Sequence, residues 1–333
     1  MSTAAASLVI ASRNRPDLLS DSVASVLAGA VVPAQVIVVD QSDAPHPVLR
    51  RARGWGPLEY VWSRSVGLSR ANNLGWRSAR HEAVLFTHDD VLVDRAWAGT
   101  LLEALAAAGP SAAVTGRVLP ADGAGNAADP GHVRADVVAP SNLAIGRATL
   151  AALGGFDERL GPGTDFPGAE DHDLGFRLLE HGGRIVFEPA AVVRHRAPRQ
   201  RGEQRRQRYA HGRGQGAFYG KHLDLRDPSM LGRLADDVVG RLLRWPLRSR
   251  KEGRRLADEL AYVRGVLGAV AAWRRGDDGR PGAAPSPGTA AAPPSDRGPA
   301  PDSRAASADG GPSNAATAAA TTSSRRRRPG PAA

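Results

Sequence analysis

The residues best suited to chemistry are His88-Asp89-Asp90, which interrupt an apolar run at Val84-Leu85-Phe86 and are followed by Val91. Two adjacent carboxylates repel each other, and each raises the other's pKa. A divalent cation removes that conflict, and Mg²⁺ or Mn²⁺ prefers carboxylate oxygens. The same pair also suits a solvated turn, so its meaning rests on what else reaches the same place. Other candidates end or open periodic segments: Asp40 closes Gln35–Val39, Glu170-Asp171 opens a helical pattern after a glycine-rich loop, and His195 closes Ala191–Arg194. Each also has an ordinary structural use, as a turn residue, a helix cap or a surface histidine.

The elements that must carry these residues follow from periodicity. Leu8–Ala11 reads as a strand, Ser12–Asp17 as a loop, and Pro16 suits the first turn of a helix carrying Leu18, Leu19, Val23, Val26 and Leu27. With the strand ending at Asp40 this forms a βαβ unit, hence a parallel sheet with right-handed crossover whose loop ends share one edge. Ligands of such sheets gather at that edge. Further strands are expected at Leu58–Trp62, Val84–Phe86, Ala113–Val118, Arg184–Glu188 and Ala191–His195, with an apolar stretch over Val137–Ile145. Val66–Trp76 reads as a loop running into a helix, and further helices are expected through Trp97–Leu105 with Asp94 as its cap, over Ala148–Leu153, and from Glu170 to Leu179. Pro120–Arg134 reads as a loop over the site.

The chain of 333 residues has no cysteine, which excludes a disulfide framework and thiolate chemistry. Its formal net charge of +10 favours anionic partners. The N-terminus lacks a cationic signal-peptide pattern, and no window is apolar enough to span a bilayer, so a cytoplasmic location is expected. From Arg196 to His222 the chain is strongly basic. Met230–Arg275 carries two apolar stripes, one through Leu231, Leu234, Val238, Val239, Leu242 and Leu243, the other through Leu256, Leu260, Val263, Val266, Leu267 and Val270. With arginines opposite, these suit either packing on the main domain or peripheral contact with an anionic membrane at the inner face of the plasma membrane. From Gly276 the sequence is rich in Ala, Pro, Gly and Ser and reads as a disordered tail ending in Arg325–Arg328. The division expected is a catalytic domain over 1–222, a helical extension over 223–275 and a tail over 276–333.

Several of these stretches, in this order, resemble the family 2 glycosyltransferases. They are Val9–Pro16, Val38-Val39-Asp40-Gln41-Ser42, Gly67–Gly75, Phe86–Asp90, Gly154–Glu158 and Glu170–Leu178. The resemblance runs from about Ser7 to His195. It implies the α/β GT-A fold, with a mostly parallel central sheet flanked by helices. It also implies transfer of a sugar from a nucleotide-diphosphate sugar to a hydroxyl of a glycan or lipid-linked acceptor, with inversion, as in bacterial rhamnosyltransferase-like enzymes of cell-surface glycans. On this resemblance Ser12, Arg13, Asp40, Arg70 and Asp89 would contact the donor. Asp90, with His195, would hold Mg²⁺ or Mn²⁺. Asp171 would be the general base, while Glu170 and Asp173 would orient the acceptor or cap the helix. The sequence departs from the family at His88, where the acidic triplet is expected to begin with Asp, and at Ala11, where Thr is common. It lacks the Gln/Arg-x-x-Arg-Trp motif of processive synthases, which points to addition of one or few sugars. A nucleotidyltransferase on a related fold is the rival enzyme. A basic nucleic-acid-binding protein is the rival of another class, although no nucleic-acid module is present.

Overall fold

The computed structural model describes residues 2–52, 54–120, 138–196, 204–223, 228–246, 249 and 255–277. All of these fall in one compact unit, Met1–Ala284. The expected loop over Pro120–Arg134 lies outside the described residues except for Pro120, as does the expected tail beyond Asp277.

The β-branched run near the N-terminus forms β1 (Ser2–Ser12), and Pro16 opens α1 (Pro16–Leu27) at its first turn. β2 (Val31–Asp40), β3 (Leu58–Trp62), α2 (Leu68–Arg77) and β4 (Ala83–His88) follow. Next come β5 (Val91–Val93), α3 (Trp97–Ala108), β6 (Ala112–Pro120), β7 (Asn142–Gly146) and α4 (Arg147–Leu153). The domain is completed by α5 (Glu170–Glu180), β8 (Arg184–His195) and α6 (Gln204–His222). The sheet order is β3-β2-β1-β4-β7-β6-β8-β5. β3, β2, β1 and β4 are parallel neighbours, as are β6 and β8, while β7 and β5 run antiparallel to theirs. This is the largely parallel sheet between helices that the resemblance implies.

Two apolar layers hold the sheet. On one face Leu8, Ile10, Val36, Val38 and Leu85 meet Leu19 and Val23 of α1 and Trp97 and Leu101 of α3. On the other, Val9, Ile37, Val39, Val84 and Phe86 meet Trp76 of α2, Leu150 of α4 and Leu174 and Leu178 of α5. The alternation within β1, β2 and β4 is that of strands buried on both faces.

Three local expectations change. The two late strands are one, β8. Its register against β6 jumps from Gly116↔Glu188 to Arg117↔Val192, so the Pro189–Ala191 segment is accommodated as an irregularity rather than a break. Asp94 does not cap α3 with its side chain but pairs with Arg194 at 3.3 Å. The apolar stripe of the last helix also divides. α7 (Pro228–Ala235) runs through a π-helical turn at Asp236–Gly240 into Arg241–Leu243, and α8 (Leu256–Arg274) returns along α6. Val263 and Val266 of α8 are buried with Glu259, Tyr262 and Ala269, whereas Leu256, Leu260 and Leu267 stay exposed. The buried face is selected by close backbone approach. A Cβ on Gly216 would stand 2.2 Å from the Val266 carbonyl oxygen, and one on Gly265 would stand 2.4 Å from that of Tyr209. Glu259 is fully buried there and accepts Arg208 at 2.8 Å and Arg241 at 3.3 Å, which fixes the face that a hydrophobicity count misses.

Candidate active site

Strand register gathers the candidate residues. Ser12 pairs with Asp40 across β1 and β2, and Ala11 pairs with His88 across β1 and β4, so three strands end at one edge. β5 turns back against β8 with Val91 opposite His195, which sets that histidine beside Asp90. Above this edge lies an open cleft of about 380 Å³, lined by Ser12, Arg13, Arg15, Gln41, His88, Asp89 and Asp90, with the Val66–Leu68 and Pro162-Gly163 segments as walls.

The acidic pair is buried, with Asp89 5% and Asp90 7% exposed. Burial raises the Asp89 carboxyl above its ordinary value, opposed by a hydrogen bond from Ser12 and by the Arg15 charge. Ser12 Oγ donates to Asp89 Oδ2 at 2.8 Å. Arg15 Nη1 reaches Asp89 Oδ1 at 3.3 Å and Asp90 Oδ2 at 2.9 Å, so one guanidinium bridges the two carboxylates. His195 Nε2 lies 3.6 Å from the same Asp90 oxygen. Asp90 Oδ1 is buried and has no hydrogen-bond partner among the described residues. Gln41 Nε2 and His88 Nε2 share that condition and line the same cleft. Gln41 is otherwise anchored, its Oε1 accepting the Gly67 amide at 3.1 Å. Burial also lowers the His88 pKa, so its ring is neutral near pH 7.

Arg15 is the residue that the sequence reading passed over in favour of Arg13. Both line the cleft, but Arg15 makes the carboxylate contacts, and no ion pair of Arg13 is recorded among the described residues. The signal was present in the Arg13-Asn14-Arg15 spacing. Asn14 takes a left-handed φ of 56°, a conformation asparagine tolerates, and ties this loop to Asp43 through its side chain.

The remaining candidates divide. Asp40 is 1% exposed and does not line this cleft. Its Oδ1 accepts the Ser42 amide at 2.9 Å, and its Oδ2 accepts Tyr60 Oη at 2.6 Å and the His46 amide at 3.2 Å. It thereby shapes the adjoining loop rather than presenting a free oxygen. Arg70 sits behind the cleft wall, donating to the Val66 carbonyl at 3.2 Å and lying 3.7 Å from Glu158. Asp171 is half-buried in the first turn of α5, its Oδ1 accepting the His172 amide at 2.8 Å, with no ion-pair partner among the described residues. Its negative charge partly opposes the lowering of the His88 and His211 pKa values by burial. Glu170 is buried beside it with Oε2 unpartnered among the described residues, and burial followed by the Asp171 charge pushes its pKa up to about 8. Asp173 is fully buried and committed elsewhere. Arg177 reaches it at 2.7 Å, Lys221 at 2.6 Å and His222 at 2.7 Å, which locks α5 to α6.

Residues 7–148, less than half of the chain, match the family model described as "Glycosyl transferase family 2". No curated protein matches the chain in sequence. Among solved structures it is similar to a mannosyltransferase from Pyrobaculum calidifontis in complex with GDP-Man and Mn2+, at 18% identity and a TM-score of 0.56 over 82% of this chain and 87% of that one. It is also similar to GalNAc-T7 with UDP, GalNAc and Mn2+, at 17% identity and a TM-score of 0.52, over 70% of this chain and 54% of that one. At these identities the likeness is one of fold. Among the described residues no group of three His, Cys, Asp or Glu is placed to hold a metal ion, and no helix is long and apolar enough to cross a membrane.

Proposed function

We propose that the protein transfers a sugar from a nucleoside-diphosphate sugar to a hydroxyl of a glycan or lipid-linked acceptor, with inversion at the anomeric carbon. The observation that carries this reading is the buried Asp89–Asp90 pair after β4, bridged by Arg15 beneath the cleft, with Asp90 Oδ1 buried and unpartnered among the described residues. That oxygen, with His195 nearby, suits a hard or borderline divalent cation such as Mg²⁺ or Mn²⁺. Asp90 and His195 would hold it together with donor oxygens. When bound, such a cation offsets the negative charge of the departing diphosphate.

The chain's own residues supply the rest. Arg13 and Arg15 give the cleft the positive charge that a diphosphate needs, and a guanidinium matches phosphate oxygens in pairs. Asp89 is fixed by Ser12 and Arg15 and faces the donor. Asp171 accepts the proton of the acceptor hydroxyl as that oxygen bonds to the anomeric carbon. The bond from the anomeric carbon to the phosphate oxygen breaks, and its electron pair leaves with the nucleoside diphosphate. Glu170, beside Asp171, orients the acceptor. The exposed Leu256, Leu260 and Leu267 of α8, with Arg264 among them, support peripheral contact with an anionic bilayer at the inner face of the plasma membrane.

The test is a panel of nucleotide sugars with Mn²⁺ or Mg²⁺, scored for binding and for slow hydrolysis. Release of a nucleoside diphosphate is expected. Release of pyrophosphate would instead identify a nucleotidyltransferase, and a chain that binds no nucleotide sugar would overturn the reading.

A further inference from the structure

The cleft wall at Pro162-Gly163 is held from behind by α6 and α8, two helices that lie beyond the family match. The segment 160–166 closes on itself. Leu160 bridges Phe166, and the Gly161 amide donates to the Phe166 carbonyl at 3.0 Å. The Thr164 hydroxyl donates to the Gly161 carbonyl at 2.9 Å and accepts the Phe166 amide at 3.1 Å. The tip lines the cleft, where the Pro162 carbonyl accepts the Leu68 amide at 3.0 Å. The base, Leu160 and Phe166, is buried against Ala217 of α6 and Ala269 of α8. The Phe166 ring lies 5.6 Å from that of Trp273, near the end of α8, and the Arg159 guanidinium stacks over Trp273 at 4.2 Å. From α6, Arg213 covers Phe166 at 5.1 Å and donates to the Asp165 carbonyl at 2.9 Å. A Cβ on Gly161 would stand 3.2 Å from Glu170 Oε2, and one on Gly214 would stand 2.7 Å from Gly168 Cα. One closed turn thus touches the cleft, the acid beside Asp171 and the C-terminal helices.

We propose that Trp273 is a positioning residue for the cleft: through Phe166 it fixes the turn 160–166, and with it the Pro162-Gly163 wall and the entry to α5. The turn's own hydrogen bonds give it a shape but not a place. Its place comes from the base, where Arg159, Trp273, Phe166 and Arg213 interleave two guanidiniums with two rings. Such contacts are directional, so they set the orientation of the turn as well as its depth. The indole itself has little room to shift, since a Cβ on Gly220 of α6 would stand 2.7 Å from its own Cβ. The C-terminal helices therefore complete the site from behind, whatever their outer faces meet. The effect on the wall stands apart from the proposed function, whereas the effect on turnover rests on it.

The experiment uses the full chain and compares wild type with Trp273→Ala and Trp273→Phe. Hydrogen–deuterium exchange reads the peptide spanning 160–168 against peptides from β1, β2 and β4. For Trp273→Ala we expect the 160–168 amides to exchange about tenfold faster, equivalent to about 1.4 kcal/mol of easier local opening, and the sheet amides to stay within about twofold. Trp273→Phe, which keeps a ring, should recover most of the protection. Unchanged exchange over 160–168 would overturn the proposal, as would an equal rise in the sheet, which marks a global loss of stability. If Trp273→Ala does not fold, Trp273→Leu set against Trp273→Phe makes the same comparison. Turnover is then measured with Mn²⁺ and whichever of UDP-glucose, GDP-mannose and dTDP-rhamnose wild type binds most tightly. Trp273→Ala should lower kcat for release of the nucleoside diphosphate about tenfold, while affinity for that diphosphate stays within about twofold. An unchanged kcat beside a loosened turn would also overturn the positioning role. Failure of wild type to bind any of the sugars would overturn the proposed function instead, and exchange alone would then decide the role of Trp273.

Discussion

Replacing Asp173 by Asn should destabilise the protein without altering its site. The carboxylate is fully buried, and two cations and a histidine converge on it: Arg177 from the next turn of α5, and Lys221 and His222 from the end of α6. Together these partners hold its pKa down at about 2 against an ordinary value of 3.8, although burial alone would raise it. That gap corresponds to about 2.5 kcal/mol in favour of the charged form in the folded state. Removing one member of a buried pair costs about 3–5 kcal/mol, because the charges left behind stay desolvated. Asn keeps the shape, so the loss should fall between these figures, about 2.5–5 kcal/mol. For a domain of this size each kcal/mol moves Tm by about 2–4 °C, giving a drop of about 5–20 °C near pH 7. The sign of the pH dependence follows from a depressed carboxyl. Its contribution is complete above about pH 4 and disappears as pH falls toward 2, so the two proteins should converge in that window. Thermal unfolding followed by circular dichroism at pH 7 and at steps below pH 4 measures both effects. A variant melting within about 1 °C of wild type at pH 7, or a gap unchanged at the lowest pH where both fold, would refute the account.

Other substitutions separate the remaining roles. Asp90→Asn should abolish Mn²⁺-dependent binding of a nucleoside diphosphate while leaving the fold intact, as read by calorimetry with and without the ion. Asp171→Asn should retain donor binding but lower transfer by about 10²–10⁴-fold, the usual contribution of a general base, in a single-turnover assay. Glu170 has a raised pKa, so its contribution to stability is full below about pH 4.5 and lost as pH rises through about 8. Glu170→Gln should remove that part of the decline in denaturant midpoint between these values. Gly216→Ala should force α6 from α8, since its Cβ would meet the Val266 carbonyl oxygen at 2.2 Å, and lower stability by about 1–3 kcal/mol in urea titration.

Much of the frame was legible because it rests on patterns that one strand or helix carries alone. The run through Val9 and Ile10, the proline at position 16 and the acids opening α5 each specify their own element, and the βαβ rule places their loops on one edge. What could not be read was pairing across the chain. Arg15 rather than Arg13 bridges the acidic pair because the loop turns at Asn14. β5 is too short to announce itself, yet it sets His195 beside Asp90. The stripe through Leu256, Leu260 and Leu267 had the period of a buried face, but glycine contacts and the Glu259 ion pairs turned α8 so that these leucines face outward. Periodicity reports that a helix has a face, whereas close backbone approach and buried charge decide which face is used.

Partner sets sort the acids more sharply than position in a motif. Asp40 and Asp173 each stand in a family-like stretch, and both are buried with their oxygens accepting hydrogen bonds from side chains or amides. Such groups are satisfied inside the protein and have little left to offer a ligand. In the cleft the pattern inverts. Asp90 keeps one oxygen unpaired, and Gln41 and His88 each keep one nitrogen unpaired, although desolvation makes each of these omissions unfavourable. On the proposed function, a nucleoside-diphosphate sugar with its cation would bring complementary charge and polar atoms to this edge of the sheet.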